Sequence, residues 1–427
     1  MRQFYERHRL RIVVVTMCAV STACGQPRPT FDPPPAMRVV EYRNGQWFDG
    51  AQFVRRPMYV AGEVFHERRP SRVDSVVDLA GGYVVPPFAD AHQHLYDPNR
   101  ISSWSAAFIR DGIYYVKDQS SAPLARRVAE RALAAPGSID LLSANQGWTS
   151  PGGHPVEVVR RGEQIPGPIG AYVRDSLDPG IVMQVDTKED IDRRWTYFLA
   201  GRPRPDFVKV FLFWSEDYAR RRVDPRAEGN RGIDPALVPD LVSRAHAAGL
   251  QVSAHVYTAA DFRNALSGGV DQIAHLPGGR ASDPTPFLLA DSDGVNAAAR
   301  RVSVVTTITQ HGDSAVTDRL IREQYTNNIR VLKAHGVPLL IGSDLAEGTA
   351  VTEVAALARS GLFTNLELLT MWSVTTPQAL FPRRKIGRLA DGYEASFIVL
   401  RESPLADIRA TRTILTRVKR GTVLQIR

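Results

Sequence analysis

His92 and His94 stand one residue apart in Ala91-His92-Gln93-His94-Leu95, directly after the apolar run Tyr83-Val-Val-Pro-Pro-Phe-Ala-Asp90. Side chains alternate along a strand with period two, so both imidazoles face one side and can reach one metal ion. Four further candidate ligands each sit in or at the end of a short apolar run. They are Lys209 in Asp206-Phe-Val-Lys-Val-Phe-Leu-Phe213, His255 in Gln251-Val-Ser-Ala-His-Val256, His275 in Val270-Asp-Gln-Ile-Ala-His-Leu276 and Asp344 in Pro338-Leu-Leu-Ile-Gly-Ser-Asp344. Imidazoles, a carboxylate and an amine are nitrogen and oxygen donors of the kind that hold divalent cations. Ligands on successive parallel strands converge only if the strands close into a barrel.

The elements that must position them follow from periodicity. From 83 to about 345, apolar runs alternate with stretches of helical spacing, the mark of a parallel α/β fold. Eight strands are expected: 83–90, 112–117, 139–144, the runs holding Lys209, His255 and His275, then 302–308 and the run ending at Asp344. Eight such units predict a (β/α)8 TIM barrel with the ligands at its C-terminal mouth. Residues 38–82 read as short strands, with turns at Asn44-Gly45 and Asp49-Gly50. With the β-like runs of 386–427 they predict a small β-sandwich beside a barrel domain of 83–385. The segment 145–187 is rich in Gly and Pro, and a loop of that length is usually functional or disordered.

The chain has 427 residues, 44% of them hydrophobic and 23% charged, with a net charge of +8. The charge is spread along the chain with no basic-aromatic stripe, so no nucleic-acid partner is expected. The two cysteines, Cys18 and Cys24, both lie near the N-terminus. Thiolate chemistry and a disulfide framework in the body are thereby excluded. Arg2, Arg7, Arg9 and Arg11 precede the apolar run Ile12–Val20, which is too short to span a bilayer. Ser21-Thr22-Ala23 and Cys24 follow, so residues 1–24 read as a signal peptide and 25–37 as a Pro-rich tether. The segment resembles a bacterial lipoprotein signal, with Cys24 as the lipidated residue. Ordinary cleavage after Ala23 and an uncleaved anchor are the alternatives. Export to the periplasm or cell envelope is expected, with membrane attachment only through that anchor.

With the six positions in order, the chain resembles the amidohydrolase superfamily from about residue 38 to its end. Pro86-Pro-Phe-Ala-Asp-Ala-His-Gln-His-Leu95 resembles the first-strand signature, and Leu340-Ile-Gly-Ser-Asp344 the eighth. The tail Ile386-Gly-Arg-Leu-Ala-Asp-Gly-Tyr-Glu-Ala-Ser-Phe-Ile-Val-Leu400 resembles the sandwich strands. The resemblance implies two divalent ions, zinc being the expected metal. His92, His94 and Asp344 would hold the more buried ion, His255 and His275 the other, and a carboxylated Lys209 would bridge them. A metal-bridging hydroxide would attack a carbonyl while Asp344 carries its proton to the leaving group. The pattern is most similar to the Xaa-Pro dipeptidase and imidazolonepropionase-like group. There Thr149-Ser-Pro-Gly-Gly-His154 matches a substrate-binding turn, which makes His154 a candidate contact. Tyr257 follows His255 by two residues and is a candidate oxyanion donor.

The function expected is hydrolysis of an amide or peptide-like C–N bond in a small molecule or dipeptide, with an Xaa-Pro dipeptidase as the specific form. A cyclic-amide hydrolase or a lactonase/esterase is the enzymatic alternative. A non-catalytic metal- or ligand-binding lipoprotein is the alternative from another class. His246, His335 and Arg220–Arg222 read as structural or solvated.

Overall fold

The computed structural model describes residues 33–34, 36–94, 97–121, 123–157, 181–280, 283–311, 318–345 and 347–425. The expected signal peptide at 1–24, nearly all of the tether and the stretch 158–180 of the long loop lie outside the described residues.

The N-terminal strands are β1 (Val39–Phe48), β2 (Phe53–Ala61), β3 (Val64–His66), β4 (Ser75–Asp78) and β5 (Tyr83–Val85). The next ten are β6 (Phe88–Gln93), β7 (Ile113–Asp118), β8 (Asp140–Ser143), β9 (Gly147–Thr149), β10 (Val182–Gln184), β11 (Phe207–Phe211), β12 (Gln251–His255), β13 (Gln272–Ile273), β14 (Ser303–Val305) and β15 (Leu339–Leu340). The chain ends with β16 (Phe397–Leu400), β17 (Ile414–Lys419) and β18 (Thr422–Val423).

The terminal segments pair into one eight-stranded sheet in the order β18-β17-β16-β5-β1-β2-β3, with β4 also on β1. The strands expected to form a sandwich are thus hydrogen-bonded as one continuous path. Two local readings change. The Asn44-Gly45 turn is a register break inside β1, between Tyr42 and Gly45. Asn44 takes φ of 59° there, a conformation its short polar side chain tolerates, and donates to Asp78. The run expected as one strand over 83–90 breaks at Pro86-Pro87, because proline has no N–H for a ladder. Tyr83–Val85 joins the sheet with β16 and β1, and Phe88–Gln93 pairs with β7.

The remaining strands are parallel and form two ladders, β6-β7-β8 and β10-β9-β11-β12-β13-β14-β15. The ladders do not form one continuous closed sheet. The chain passes from β8 into β9 within three residues, however, so one stretch belongs to both. At the opposite edges, Ala91 N donates to Ile341 O at 2.9 Å and Asp344 N to His92 O at 2.9 Å. Gly342 permits this approach: a Cβ there would stand 2.5 Å from Val305 Cγ1 and 2.9 Å from His92 N. The architecture is TIM-barrel-like α/β with a separate sheet. Both share one apolar core, with Phe88 of β6 stacked on Trp372 at 3.9 Å.

Every residue of β6, β7 and β11 is buried, as expected for parallel strands covered on both faces. The helices between them begin with side-chain caps. Thr258 and Asp261 form a capping box on Ala259–Gly268. Buried Asp261 also accepts from Trp214 N, Ser215 N and Tyr257 N, which ties the loops after β11 and β12 together.

Candidate metal centre

His92 lies near the end of β6 and His94 just beyond it, with Asp344 just after β15. His92 Nδ1 is 2.9 Å from Ala274 O, and His94 Nδ1 is 3.1 Å from Ser120 O. A carbonyl only accepts, so each Nδ1 carries the proton and each Nε2 presents a lone pair. Those Nε2 atoms are 3.3 Å apart. Asp344 Oδ1 is 3.4 Å from His92 Nε2 and 3.2 Å from His94 Nε2. Ligands about 2.0–2.1 Å from a tetrahedral zinc ion stand about 3.3–3.4 Å from each other. Three converging acceptors repel unless a cation lies among them, so this donor set fits a divalent ion.

His275 extends the cluster. Its ring centroid is 4.4 Å from that of His92, and its Nδ1 is 3.0 Å from Thr307 Oγ1 and 3.9 Å from Asp344 Oδ2. His92, His275 and Asp344 offer ligand atoms all within 4.8 Å of one another. His255, the last residue of β12, packs its ring 4.5 Å from His275. Lys209, in the middle of β11, is fully buried. Among the described residues, Lys209 Nζ and His255 Nε2 are buried polar atoms that no hydrogen-bond partner reaches. Other buried polar atoms of the structure also lack a partner, but these two belong to residues whose electrostatics or rings meet the cluster, where a cation or a carboxylated lysine would pair them. His92, His94, His275 and Asp344 therefore gather in one cluster with His255 packed on His275, and the Lys209 charge, from mid-strand in β11, acts on His92, His255 and His275.

Electrostatics point the same way. Burial pushes His92 well below its usual pKa, with the nearby Lys209 and His94 charges adding to the effect. Burial, then His275 and His154, does the same to His255; burial, then His92, does it to His275. Neutral imidazoles are the form that ligates metal. Burial lowers Lys209 to about 7, opposed by Asp344 and helped by Lys117. An amine that is substantially neutral near pH 7 can add carbon dioxide. Burial works to raise Asp344, but its surroundings, His94 first and then His275 and Lys209, hold it below the usual carboxylate range.

His154 sits beside the cluster, its ring 4.6 Å from His255 and stacked on Phe213 at 5.0 Å. Its Nδ1 is 2.7 Å from Glu157 Oε1. The Tyr257 ring stacks on Phe213 at 4.4 Å, and Phe213 in turn faces His255. The strand ends at His255, so period-two alternation does not extend to Tyr257. Its hydroxyl lies against Gly279, where a Cβ would come within 2.4 Å of it. His246 and His335 pair with Asp271 and Asp291 instead, and Arg220 with Asp217.

Several residues of the centre escaped the sequence reading. Asp90 accepts from His92 N, Gln93 Nε2, Ser343 N and Ser343 Oγ, tying the first and last ligand strands together. Burial raises its carboxyl to about 6 against those bonds. Lys117 donates to Gln272 at 2.7 Å inside the strand layer, and burial lowers it to about 7. Asp344 and Thr307 take φ of 50° and 41°. Such non-glycine conformations cost on the order of 1–3 kcal/mol each and concentrate at functional sites. Asp90, inside the matched first-strand segment, was the one with a visible signal.

A model of the amidohydrolase family matches residues 221–424. That segment includes His255, His275 and Asp344, while the β6 and β11 ligands precede it. Ochratoxinase of Aspergillus niger is 29% identical over 167 residues, 37% of this chain. The match spans 34% of the ochratoxinase's own length. Residues 221–424, just under half of the chain, are thus similar to the amidohydrolase family. Likeness of fold extends over most of the chain in the solved structures. A prolidase complexed with N-methylphosphonate-L-proline has a TM-score of 0.69 at 18% identity, covering 91% of this chain and 99% of that one. A Xaa-Pro dipeptidase with bound methionine in the active site gives 0.67 at 17%, with 91% and 100% covered. The A. niger ochratoxinase structure gives 0.67 at 16%, with 91% and 95% covered. At these identities the superfamily likeness is one of fold. The donor cluster is in keeping with the metal dependence typical of amidohydrolases.

Proposed function

We propose that this chain is a metal-dependent hydrolase of amide C–N bonds in small molecules, with Xaa-Pro dipeptides as the specific substrates. The observation that carries the reading is the trio His92 Nε2, His94 Nε2 and Asp344 Oδ1, mutually 3.2–3.4 Å apart with both histidine protons directed to carbonyls. In this reading those three would hold one ion and His255 and His275 a second, with a carboxylated Lys209 as a further anionic donor, zinc being the expected metal. Divalent ions in such a site supply Lewis acidity toward water and the scissile carbonyl. Asp344 receives the water proton on a carboxylate oxygen and returns it to the leaving nitrogen as the C–N bond breaks. His154 and Tyr257 contact the substrate carbonyl side, on the aromatic wall of Phe213. The fold underneath is TIM-barrel-like, its two parallel ladders brought together by the two backbone bonds between β6 and the β15 end. Export through residues 1–24, with Cys24 as lipid anchor, completes the proposal. Among the described residues no helix is long and apolar enough to cross a membrane.

The test is metal analysis followed by a substrate panel. About two equivalents of divalent metal per chain are expected, with turnover of Xaa-Pro dipeptides or N-acyl amino acids that a chelator abolishes. Turnover of lactones alone would reject the amidase reading in favour of a lactonase. Bound metal with no hydrolysis of any substrate would leave a metal-binding protein.

A further inference from the structure

The turn that follows β14 carries an arrangement outside the ligand set. Glu353 lies in the first turn of the helix Ala350–Ser360 and is fully buried. Its Oε1 accepts from Thr306 Oγ1 at 2.5 Å and from Ile308 N at 3.1 Å. Its Oε2 accepts from Thr309 N at 3.0 Å and Thr309 Oγ1 at 2.7 Å. One carboxylate thus grips the chain on both sides of Thr307. Thr307 has φ of 41°, and its Oγ1 meets His275 Nδ1 at 3.0 Å. A β-branched residue rarely adopts that backbone, and it persists only where the surroundings over-determine it. The four bonds from Glu353 supply that constraint.

We propose that Glu353 is a positioning residue for the metal centre: by clamping Thr306, Ile308 and Thr309 it fixes Thr307, whose hydroxyl holds His275 Nδ1 and leaves Nε2 for an ion. This rests on the reading of His275 as a ligand. The nitrogen that a histidine gives to a metal is set by the hydrogen bond its other nitrogen makes. Glu353 touches neither ion nor substrate, and its effect passes through one hydroxyl.

Zinc affinity of the full chain, measured by competition with a chromophoric chelator, tests this without reference to turnover. Glu353→Gln and Thr307→Val should each weaken one of two bound zinc ions by about 10–100-fold. Thr307→Ser keeps the hydroxyl and should bind zinc within about 3-fold of the parent. The double variant should lose no more than the worse single one, because both act through the same bond. Thermal unfolding of the metal-free proteins separates damage to the fold. A lowered Tm with unchanged zinc affinity in Glu353→Gln would make Glu353 a structural support and overturn the proposal. If that variant does not fold, Thr306→Val removes one of the four bonds and is measured instead; unchanged affinity there also overturns it. A parent chain that takes up no zinc would overturn the metal-centre reading and this inference together, whereas an indifferent Glu353→Gln overturns the inference alone.

Discussion

His92 Nε2 and His94 Nε2 face each other at 3.3 Å while both Nδ1 atoms bond to carbonyl oxygens. Two lone pairs at that separation, with the Asp344 carboxylate beside them, form an electrostatically unfavourable group until a cation joins them. The centre is therefore a place where ion binding and folding stability are linked.

Asp344→Asn keeps the shape of the side chain and one acceptor oxygen but removes the charge and the site that takes up a proton. Turnover should fall by about 10²–10⁴-fold. Metal content and far-ultraviolet circular dichroism of the same preparation check that the loss is chemical. A variant with parental turnover would remove Asp344 from the proton path.

Lys209→Ala removes the buried amine that reaches no hydrogen-bond partner among the described residues. Activity should fall by at least about 10²-fold, with less metal retained. If a carbamate is the true ligand, acetate or propionate added with zinc should restore part of the activity by supplying the missing carboxylate. Rescue measured against chloride at equal ionic strength is the readout.

Tyr257→Phe removes one hydroxyl from a ring that keeps its stacking on Phe213. If that hydroxyl donates to the developing oxyanion, kcat should fall by about 10²–10³-fold with little change in KM. Unchanged kcat would make Tyr257 a packing residue.

Asp140, on β8, joins the barrel-like body to the sheet. It accepts from Lys419 and Arg384, each at 2.7 Å, and from Arg420 at 3.2 Å. Burial works to raise its carboxyl, but Lys419 and Arg384 hold it below the usual carboxylate range. A depressed carboxyl stabilises the fold above its unfolded pKa, and that contribution disappears as pH falls through the folded value. Asp140→Asn should cost about 3–5 kcal/mol at pH 7, because three cations lose their shared partner. The deficit should shrink below about pH 4, where the carboxyl of the unfolded parent chain takes up a proton that the folded one still resists. Urea unfolding of both proteins at pH 7 and pH 3 measures the difference.

The candidate ligands stood out because each is a polar residue in or closing a short apolar run, a pattern that chance seldom repeats in order along one chain. Lys209 stands out most, since a lysine amid Phe207, Val208, Val210 and Phe211 has no surface to reach. The barrel-like order was legible from the alternation of runs and helical stretches. Glu353 and Thr307 were not, because a buried carboxylate bonding to a turn 44 to 47 residues away leaves no trace in periodicity. The Asn44-Gly45 bulge was misread as a hairpin turn, since the same dipeptide serves any backbone that needs a positive φ. The break at Pro86-Pro87 could have been found: two prolines in one apolar run argue for two strands.

The seam between β6 and the β15 end has a temporal meaning. Asp90 and Ser343 meet there across 253 residues of chain. During synthesis from the N-terminus, His92 and His94 leave the ribosome long before Asp344 exists. An unfinished chain can offer an ion two imidazoles and no carboxylate. A complete donor set therefore exists only once the chain as far as Asp344 has been made and folded.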